Sequence, residues 1–541
     1  MGPHGSFTRK IIYLVAIALL LMPLFWLSQP ATSAVKGAKG SPGGKLAQLR
    51  DEHHLSQAQL GQIDPTSVTI KLATLGLRGV AANILWEKAN DYKMKKDWTN
   101  LAATLNQITK VQPNFISVWS NQGWNLAYNV SASFDDYRER YRWVIKGIDF
   151  LKEGAKYNER EPRLLWDLGW TISQKIGRSD EAKQFRRLFK EDDDFHRSRP
   201  LALRDNWLVG KEKFAEAERM VDTLGVSMMG KSPLIFRSDA PMCQMSYAEA
   251  IEKDGTFGQD AKVIEKDGSS GQNAKQAWAN ATDEWRRYGA KDIPTSFRTP
   301  DDKPVIVRLN EEEMELETAK KLVAQLDAMQ PGLREKIIAE KRAALSEKQR
   351  EALDTPPAKR AGKQFDLAAQ AEEAVKVTHD EVAKKIAKPK RAEALKLAKD
   401  AAEHEQTAVY IRRYREVVNF VYWRLRALVE QSEDAIEARR LIYQGDRAYS
   451  DVDIQAALDS YQQGLQAWRK VFDAHPDLIA DQTIGEDLMD VIKRYRRVLG
   501  EDSKTLPEKF ILQDIIDQHE QREGKPPESK QEKGESAKPE K

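Results

Sequence analysis

The stretches ANILWEKANDY (residues 82–92), ISVWSNQGWNL (116–126) and PRLLWDLGWTI (162–172) share one pattern of large and small side chains. The fourth and eleventh positions are apolar or aromatic and the eighth is alanine or glycine: Leu85, Trp119 and Leu165; Tyr92, Leu126 and Ile172; Ala89, Gly123 and Gly169. Apolar residues three and four positions apart lie on one face of a helix. A small residue on that face lets a second helix approach closely. Each stretch is therefore predicted to be the first helix of a helical hairpin.

A second helix is predicted after each of these stretches. In the first copy, Leu101, Leu105 and Ile108 form an apolar stripe that Pro113 brings to an end. In the third copy, the expected stripe lies between residues 181 and 188. The pattern favours an all-α fold.

The arrangement resembles the tetratricopeptide repeat (TPR), a helix-turn-helix unit of about 34 residues. Copies start at Ala82 and Ile116, 34 residues apart, and then at Pro162, 46 residues further on. A surface loop at 131–137 is expected to absorb the extra length. The resemblance implies a TPR-like helical-hairpin solenoid over residues 46–194, because a single hairpin cannot bury its own apolar face. An irregular helical bundle with accidental spacing is the alternative.

In a tetratricopeptide repeat, the fifth, ninth and twelfth positions of each first helix line a concave groove. Here those positions hold four tryptophans among polar and small residues: Trp86, Asn90 and Lys93; Ser120, Trp124 and Ala127; Trp166, Trp170 and Ser173. Tryptophan offers a large contact area with few rotatable bonds, which suits recognition of an extended peptide or a partner helix. The predicted partner-binding site is therefore Trp86, Asn90, Lys93, Trp124, Trp166 and Trp170. The alternative is that these rings belong to the core.

A fourth, weaker copy of the pattern lies near the other end of the chain. The same spacing recurs in Leu441, Gly445, Ala448, Ala457 and Tyr461. It predicts one TPR-like hairpin within a helical domain at residues 406–515.

The remaining blocks differ in composition. Residues 195–309 are predicted to be irregular and mostly helical, with the stretch 250–262 nearly repeated at 263–275 as a surface turn. Residues 310–405 carry charges and apolar residues at helical spacing, which predicts a long charged helical or coiled-coil arm. The last residues are almost all charged, proline, serine or glycine, which predicts a disordered tail at 516–541.

An apolar segment near the N-terminus bears on the compartment. Two basic residues precede residues 11–27, which contain no charge. A transmembrane anchor is predicted, with residues 1–10 in the cytoplasm and the main body on the extracytoplasmic, periplasmic side of the inner membrane. A signal segment cleaved near 32–34 is the alternative. The glycine-rich stretch 28–45 is predicted to be a flexible linker.

The charge balance is nearly even, with 86 basic and 83 acidic side chains and a net charge of +3. No global field therefore attracts nucleic acid. The single cysteine, Cys243, cannot form an internal disulfide and is expected to be a buried structural thiol. The sequence contains no nucleotide-binding loop, nucleophile elbow or metalloprotease helix motif. No catalytic residue, cofactor or metal site is predicted.

Several segments also resemble an uncharacterised family of membrane-anchored, TPR-like proteins of planctomycete-type bacteria. The resemblance rests on residues 119–127, 240–249, 277–286, 419–423 and 438–441. It covers most of the chain from 70 to 515 apart from the charged arm, and it implies no catalytic residues.

Together these features predict a membrane-anchored helical-repeat scaffold or adaptor that binds a protein or peptide partner. One alternative is a cell-envelope enzyme, for example one acting on peptidoglycan, with a carboxylate of raised pKa in a deep polar pocket within residues 195–300. Another is a structural coiled-coil spacer that forms a homo-oligomer through the arm at 310–405.

Overall fold

A computed structural model describes residues 3–27, 29, 41, 43–52, 77–228, 230–256, 273–299, 301–479, 482–500, 506 and 510–523. Their fold is almost entirely helical, which confirms the predicted all-α class. The helices are α1 (Pro3–Leu27), α2 (Lys45–Glu52), α3 (Arg78–Met94), α4 (Trp98–Val111), α5 (Ile116–Trp124), α6 (Tyr137–Tyr157), α7 (Pro162–Trp170), α8 (Ala182–Glu191), α9 (Asp193–His196), α10 (Asn206–Leu224), α11 (Pro233–Lys253), α12 (Ala274–Gly289), α13 (Glu312–Ala328), α14 (Leu333–Ala343), α15 (Glu347–Asp354), α16 (Gln364–Val375), α17 (His379–Lys385), α18 (Lys388–Val417), α19 (Phe420–Glu430), α20 (Glu433–Ser450), α21 (Ile454–Ala474), α22 (Gln482–Leu499) and α23 (Gln513–Glu523).

Side-chain caps determine where many of these helices begin. At the start of α6, the Asp136 carboxylate accepts hydrogen bonds from the backbone N–H groups of Arg138 and Glu139, at 2.8 and 3.1 Å. Ser346 and Thr378 form capping boxes at the starts of α15 and α17. Such caps satisfy backbone donors that have no partner within the helix.

The apolar segment 11–27 lies within helix α1. Among the residues that the structure describes, no helix is both long enough and apolar enough to cross a membrane. The predicted linker at 28–45 falls mostly outside the described residues, and so does the repeated turn between residues 257 and 272.

The C-terminal tail is ordered further than its composition predicts. Helix α23 continues to Glu523, and Leu512, Ile515 and Ile516 near its start are buried. The prediction of disorder was therefore wrong for residues 516–523, because these isoleucines supply an apolar face. Residues 524–541 lie outside the described residues.

The chain forms two compact units, one of residues 1–282 and 426–541 and the other of residues 283–425. In the first unit α3 packs on α4, and α5 packs on α6. Helix α7 packs on both α6 and α10, and α10 is its main partner. The sequence pattern predicts instead that the stripe at 181–188, which forms α8, is the second helix packed on α7. The difference arises at Gly169 on α7, where an added Cβ would lie 3.0 Å from the ring of Phe214 on α10.

Small residues bring α5 and α6 into close contact. The Trp119 ring is buried and its Nε1 donates a hydrogen bond to the Pro113 carbonyl oxygen at 2.7 Å. A Cβ added at Gly154 of α6 would lie 2.7 Å from the Trp119 ring, and one added at Gly123 of α5 would overlap Leu151. The glycine at the eighth position of the pattern therefore faces another helix, as expected for a close approach.

Helices α20 and α21 form a second close-packed hairpin in the same unit. A Cβ added at Gly445 would lie 2.9 Å from the ring of Tyr461. Tyr461, Trp468 and Phe472 are all buried, and α21 ends just before Pro476.

The unit of residues 283–425 folds back on itself instead of continuing as one long arm. Helix α13 packs along α18, and these two helices share an apolar core with α14 and α17: Leu326, Leu333, Ile337, Val382, Ala383, Ile386, Ala394 and Ala398. The buried Arg415 guanidinium donates to Glu312 at 2.8 Å and to Glu313 at 2.7 Å, and its bond to Glu313 lowers the pKa of that carboxyl to about 2.

This unit also contains an element that the sequence pattern did not predict. Strands β1 (Ile293–Arg298) and β2 (Pro304–Val307) form an antiparallel hairpin. Proline and β-branched residues in both strands disfavour a helix there.

Candidate functional site

Two stacked pairs of aromatic rings lie on the helices that carry the predicted site. On α5 the Trp124 indole stacks on Tyr128, with ring centres 5.5 Å apart and planes at 16°. On α7 the Trp166 and Trp170 rings stack at 5.3 Å and 18°. Trp124 is 50% exposed and Trp170 is 40% exposed. These four side chains are called the aromatic strip below.

A lysine lies beside the first pair of rings. Burial raises the pKa of the Tyr128 hydroxyl to about 12. The Lys175 ammonium lies 5.2 Å from the centre of the Tyr128 ring. The strip therefore presents aromatic rings to solvent next to a cation.

Both helices of the strip change pitch directly after their exposed tryptophan. Helix α5 continues as a π-helical turn at Asn125–Val130, and α7 continues as one at Thr171–Lys175. π-helical turns are rare and occur frequently at functional sites. Because such a turn changes the helical phase, Ala127 and Ser173 do not line the surface as the repeat pattern implied; both are fully buried.

Partly buried polar groups contact Trp166 and neighbouring residues of the strip. The Trp166 Nε1 donates a hydrogen bond to the Asp239 carboxylate at 2.7 Å, and the Lys231 ammonium lies 3.3 Å from the centre of the Trp166 ring. Ser120 donates to the Asp167 carboxylate. Burial raises the pKa of Asp239 to about 6 and also raises the pKa of Asp167. These contacts restrict the rotamer of Trp166 before any partner binds.

Four of the six predicted site residues line one cavity of about 250 Å³. They are Trp86, Asn90, Lys93 and Trp124. Trp86 is half-buried and its ring centre lies 6.1 Å from that of Phe115, while Asn90 and Lys93 are exposed. The other two predicted residues, Trp166 and Trp170, do not line this cavity and belong to the strip.

Several residues of this surface were not predicted as site residues. Tyr128, Asp239 and Lys231 contact the tryptophans, and Gln122 lines the cavity. One available signal was the Gly-Trp pair repeated at 123–124 and 169–170, with a small buried residue followed by an exposed ring. No pattern in the sequence links Asp239 to a helix 73 residues away.

A second polar site in the same unit contains two buried acids around one guanidinium. Arg439 donates to Glu430 at 2.7 Å and lies 3.8 Å from Glu252, whose other oxygen accepts a hydrogen bond from Trp278 Nε1 at 2.8 Å. Burial and the neighbouring Glu430 carboxylate raise the pKa of Glu252 to about 8. Glu252 and Arg439 line a cavity of about 750 Å³ that also contains Asp487.

The single thiol has no features of a nucleophile. Cys243 is buried, and burial raises its pKa to about 12, so the thiolate does not form near neutral pH. Within the described part of the chain, no group of three or more histidine, cysteine, aspartate or glutamate side chains could hold a metal ion.

Comparison with models of known protein families gives no match, and comparison with curated protein sequences gives none either.

Proposed function

We propose that this protein is a scaffold that binds an extended segment of another protein along the aromatic strip. The observation that carries the proposal is the exposure of the stacked Trp124 and Trp170 rings on two successive repeat-like helices. Tryptophan is enriched among the residues that contribute most to protein binding. An extended segment suits a row of rings because alternate side chains can contact successive rings.

The side chains of the aromatic strip are also ordered before a partner binds. Its rings stack in pairs, and Trp166 is fixed by Asp239 and Lys231. A side chain that is already ordered loses little rotamer entropy when a partner binds. This preorganisation favours recognition over a role as loose surface residues.

Proximity labelling in the native cell tests the proposal. The intact chain is compared with a Trp124→Ala/Trp170→Ala variant and with a Leu203→Ala/Leu224→Ala control, whose leucines are each 46% exposed but lie outside the strip. We expect the tryptophan variant to lose a discrete set of labelled proteins that the control retains. If both variants keep the same set while remaining folded, the strip is not a binding surface.

The location of the scaffold is a separate part of the proposal. Its support is the uncharged segment 11–27 with basic residues before it, which favours attachment to a membrane with the body on the extracytoplasmic side. Carbonate extraction of membranes, followed by protease treatment of spheroplasts whose inner membrane is intact, tests both points. Release by carbonate would contradict the anchor, and protection of the body from protease added outside would contradict the orientation.

A second candidate function is hydrolysis of a cell-envelope polymer, and Glu252 favours it. A carboxylic acid that keeps its proton at neutral pH can act as a general acid. Purified protein would then release soluble fragments from peptidoglycan, and Glu252→Gln would abolish the release. The absence of fragments with the intact protein would leave Glu252 as a structural acid.

A further inference from the structure

The cavity beside Trp124 contains a buried amide with an unused donor. Gln122 lines this cavity and is only 3% exposed. Its Nε2 has no hydrogen-bond partner among the residues that the structure describes. Buried polar groups are nearly always paired in folded proteins, because an unpaired one loses its hydrogen bonds to water without replacement.

A chain of side-chain amides ends at this donor. Asn129 Nδ2 donates to Asn125 Oδ1 at 2.9 Å, and Asn125 Nδ2 donates to Gln122 Oε1 at 3.3 Å. Each amide uses its oxygen to accept from the preceding one. The Gln122 amide group is last. Its Nε2 is covered by neighbouring atoms and has no acceptor in the described part of the chain, so it donates to an occupant of the cavity once the Gln122 amide turns toward the cavity.

The rest of the cavity limits what could accept from this donor. Its walls include the buried side chains of Leu101, Leu105 and Val118. Its volume of about 250 Å³ is below the ~300–1,000 Å³ of small-molecule pockets, so it suits one side chain better than a whole ligand. Lys93 and Asn90 of the lining are exposed, so a carboxylate that reached the buried Gln122 would lose its hydration for a neutral donor, which is unfavourable. A neutral carbonyl oxygen on a short aliphatic stem fits both the walls and the donor.

We propose that the bound segment inserts an asparagine or glutamine side chain into this cavity, where its carbonyl oxygen accepts a hydrogen bond from Gln122 Nε2. This inference rests on the proposed function, because the occupant is part of the segment bound along the aromatic strip. It adds a residue-level specificity that the rings alone do not provide, since stacked indoles accept many apolar side chains. Gln122 is then a specificity residue and the strip supplies general affinity.

The test begins with a phage-displayed library of linear dodecapeptides selected on the full-length protein. We expect the selected peptides to share an asparagine or glutamine. Binding of one such peptide is then measured by calorimetry against the intact protein, Gln122→Met and Gln122→Glu. Both variants are expected to lower the affinity about tenfold or more, the loss typical when one hydrogen-bonding group is left unpaired.

A double-mutant cycle separates a direct contact from a structural effect. Replacing the peptide's glutamine by methionine is expected to weaken binding to the intact protein and to restore binding to Gln122→Met within a few fold, because two apolar groups then meet. Replacement by glutamate is expected to weaken binding to the intact protein. The melting temperature of Gln122→Met is expected to change little, since the variant removes the unpaired Nε2 donor but also removes the Oε1 that accepts from Asn125 Nδ2.

The outcomes distinguish the two proposals. If peptides bind and depend on Trp124 and Trp170 but Gln122→Met binds them unchanged, the inference about the cavity is overturned and the scaffold proposal stands. A shared acidic residue, or no shared acceptor, among the selected peptides also overturns the inference. If no peptide is selected, or if Trp124→Ala/Trp170→Ala binds as well as the intact protein, the scaffold proposal itself fails.

Discussion

The hairpin of α20 and α21 and the helices of the aromatic strip use aromatic residues in opposite ways. In the hairpin, Trp468 and Phe472 are fully buried, and the Arg439 guanidinium lies 4.8 Å from the centre of the Trp468 ring. In the strip, Trp124 and Trp170 stack on neighbours of their own helix and remain exposed. Helical spacing determines on which face of a helix a ring lies. The neighbouring helices determine whether that face is buried in the core or stays exposed to a partner.

The largest effect on stability is expected for a buried ring of the α20–α21 hairpin. Trp468→Ala is expected to lower the free energy of unfolding by about 3–5 kcal/mol, because it removes a buried ring and leaves a cavity. Urea denaturation measures the change. Trp468→Phe is a milder control, since it keeps an aromatic ring and removes an indole N–H that has no partner among the described residues. A loss below about 1 kcal/mol for the alanine variant would contradict the role of this ring in the core.

The next effect concerns the buried acids close to Trp468. The pKa of Glu252 is about 8 in the fold against an ordinary value of 4.5, so the native state holds a proton that the unfolded chain releases. Protonated Glu252 therefore contributes its full stabilisation below pH 4.5. This contribution falls as the pH rises from 4.5 and is lost once the pH passes about 8. Glu252→Gln cannot ionise, so relative to the intact protein it should gain stability between pH 5 and pH 8.

One pKa unit corresponds to about 1.4 kcal/mol, so across the three pH units from 5 to 8 we expect a relative gain on the order of 4 kcal/mol for Glu252→Gln. Denaturation curves at several pH values measure it. Asp490→Asn is a suitable control because Asp490 lines the same cavity and its side chain is exposed. Parallel pH profiles for the intact protein and Glu252→Gln would show that Glu252 titrates normally.

Close helix packing beneath the strip predicts a smaller effect. Gly123→Ala places a methyl group against Leu151 and is expected to cost about 1–3 kcal/mol. Gly79→Ala is the matched control, because an added Cβ there meets nothing within 4 Å and the helix should gain about 0.5–1 kcal/mol. Equal effects of the two substitutions would mean that α5 and α6 are not in close contact at Gly123.

The smallest effect on stability is expected for an exposed ring of the aromatic strip. Trp124→Ala should change the free energy of unfolding by about 1 kcal/mol or less, because half of the ring is already in water and its removal leaves no internal cavity. Thermal and urea unfolding measure the change. A cost close to that of Trp468→Ala would place Trp124 among the residues that stabilise the fold.

Local features of this molecule were predictable from its sequence. The helices at 78–94, 116–124 and 162–170 follow from apolar residues at steps of three and four, which depend only on helix geometry. The small residue Gly123 predicted a close helix contact, and it faces Leu151. The four tryptophans of the site could be named, although Tyr128 was not, because their spacing puts them on one side of each helix.

Contacts between distant residues were not predictable. Asp239 reaches Trp166 across 73 residues, and Glu252 and Arg439 meet only in the folded chain. Nor does any local pattern indicate the π-helical turn that buries Ala127 or the pairing of α7 with α10. These features depend on which helices meet, and a sequence of helical stripes is compatible with several such pairings.

The proposal that the aromatic strip binds an extended protein segment is tested most directly by calorimetric titration of a selected dodecapeptide. The proteins compared are the intact chain, Trp124→Ala/Trp170→Ala and Leu203→Ala/Leu224→Ala. A loss of affinity of more than about tenfold for the tryptophan variant alone, with its unfolding curve unchanged, is the predicted result. Equal affinity of all three proteins would contradict the proposal and assign the binding to another surface.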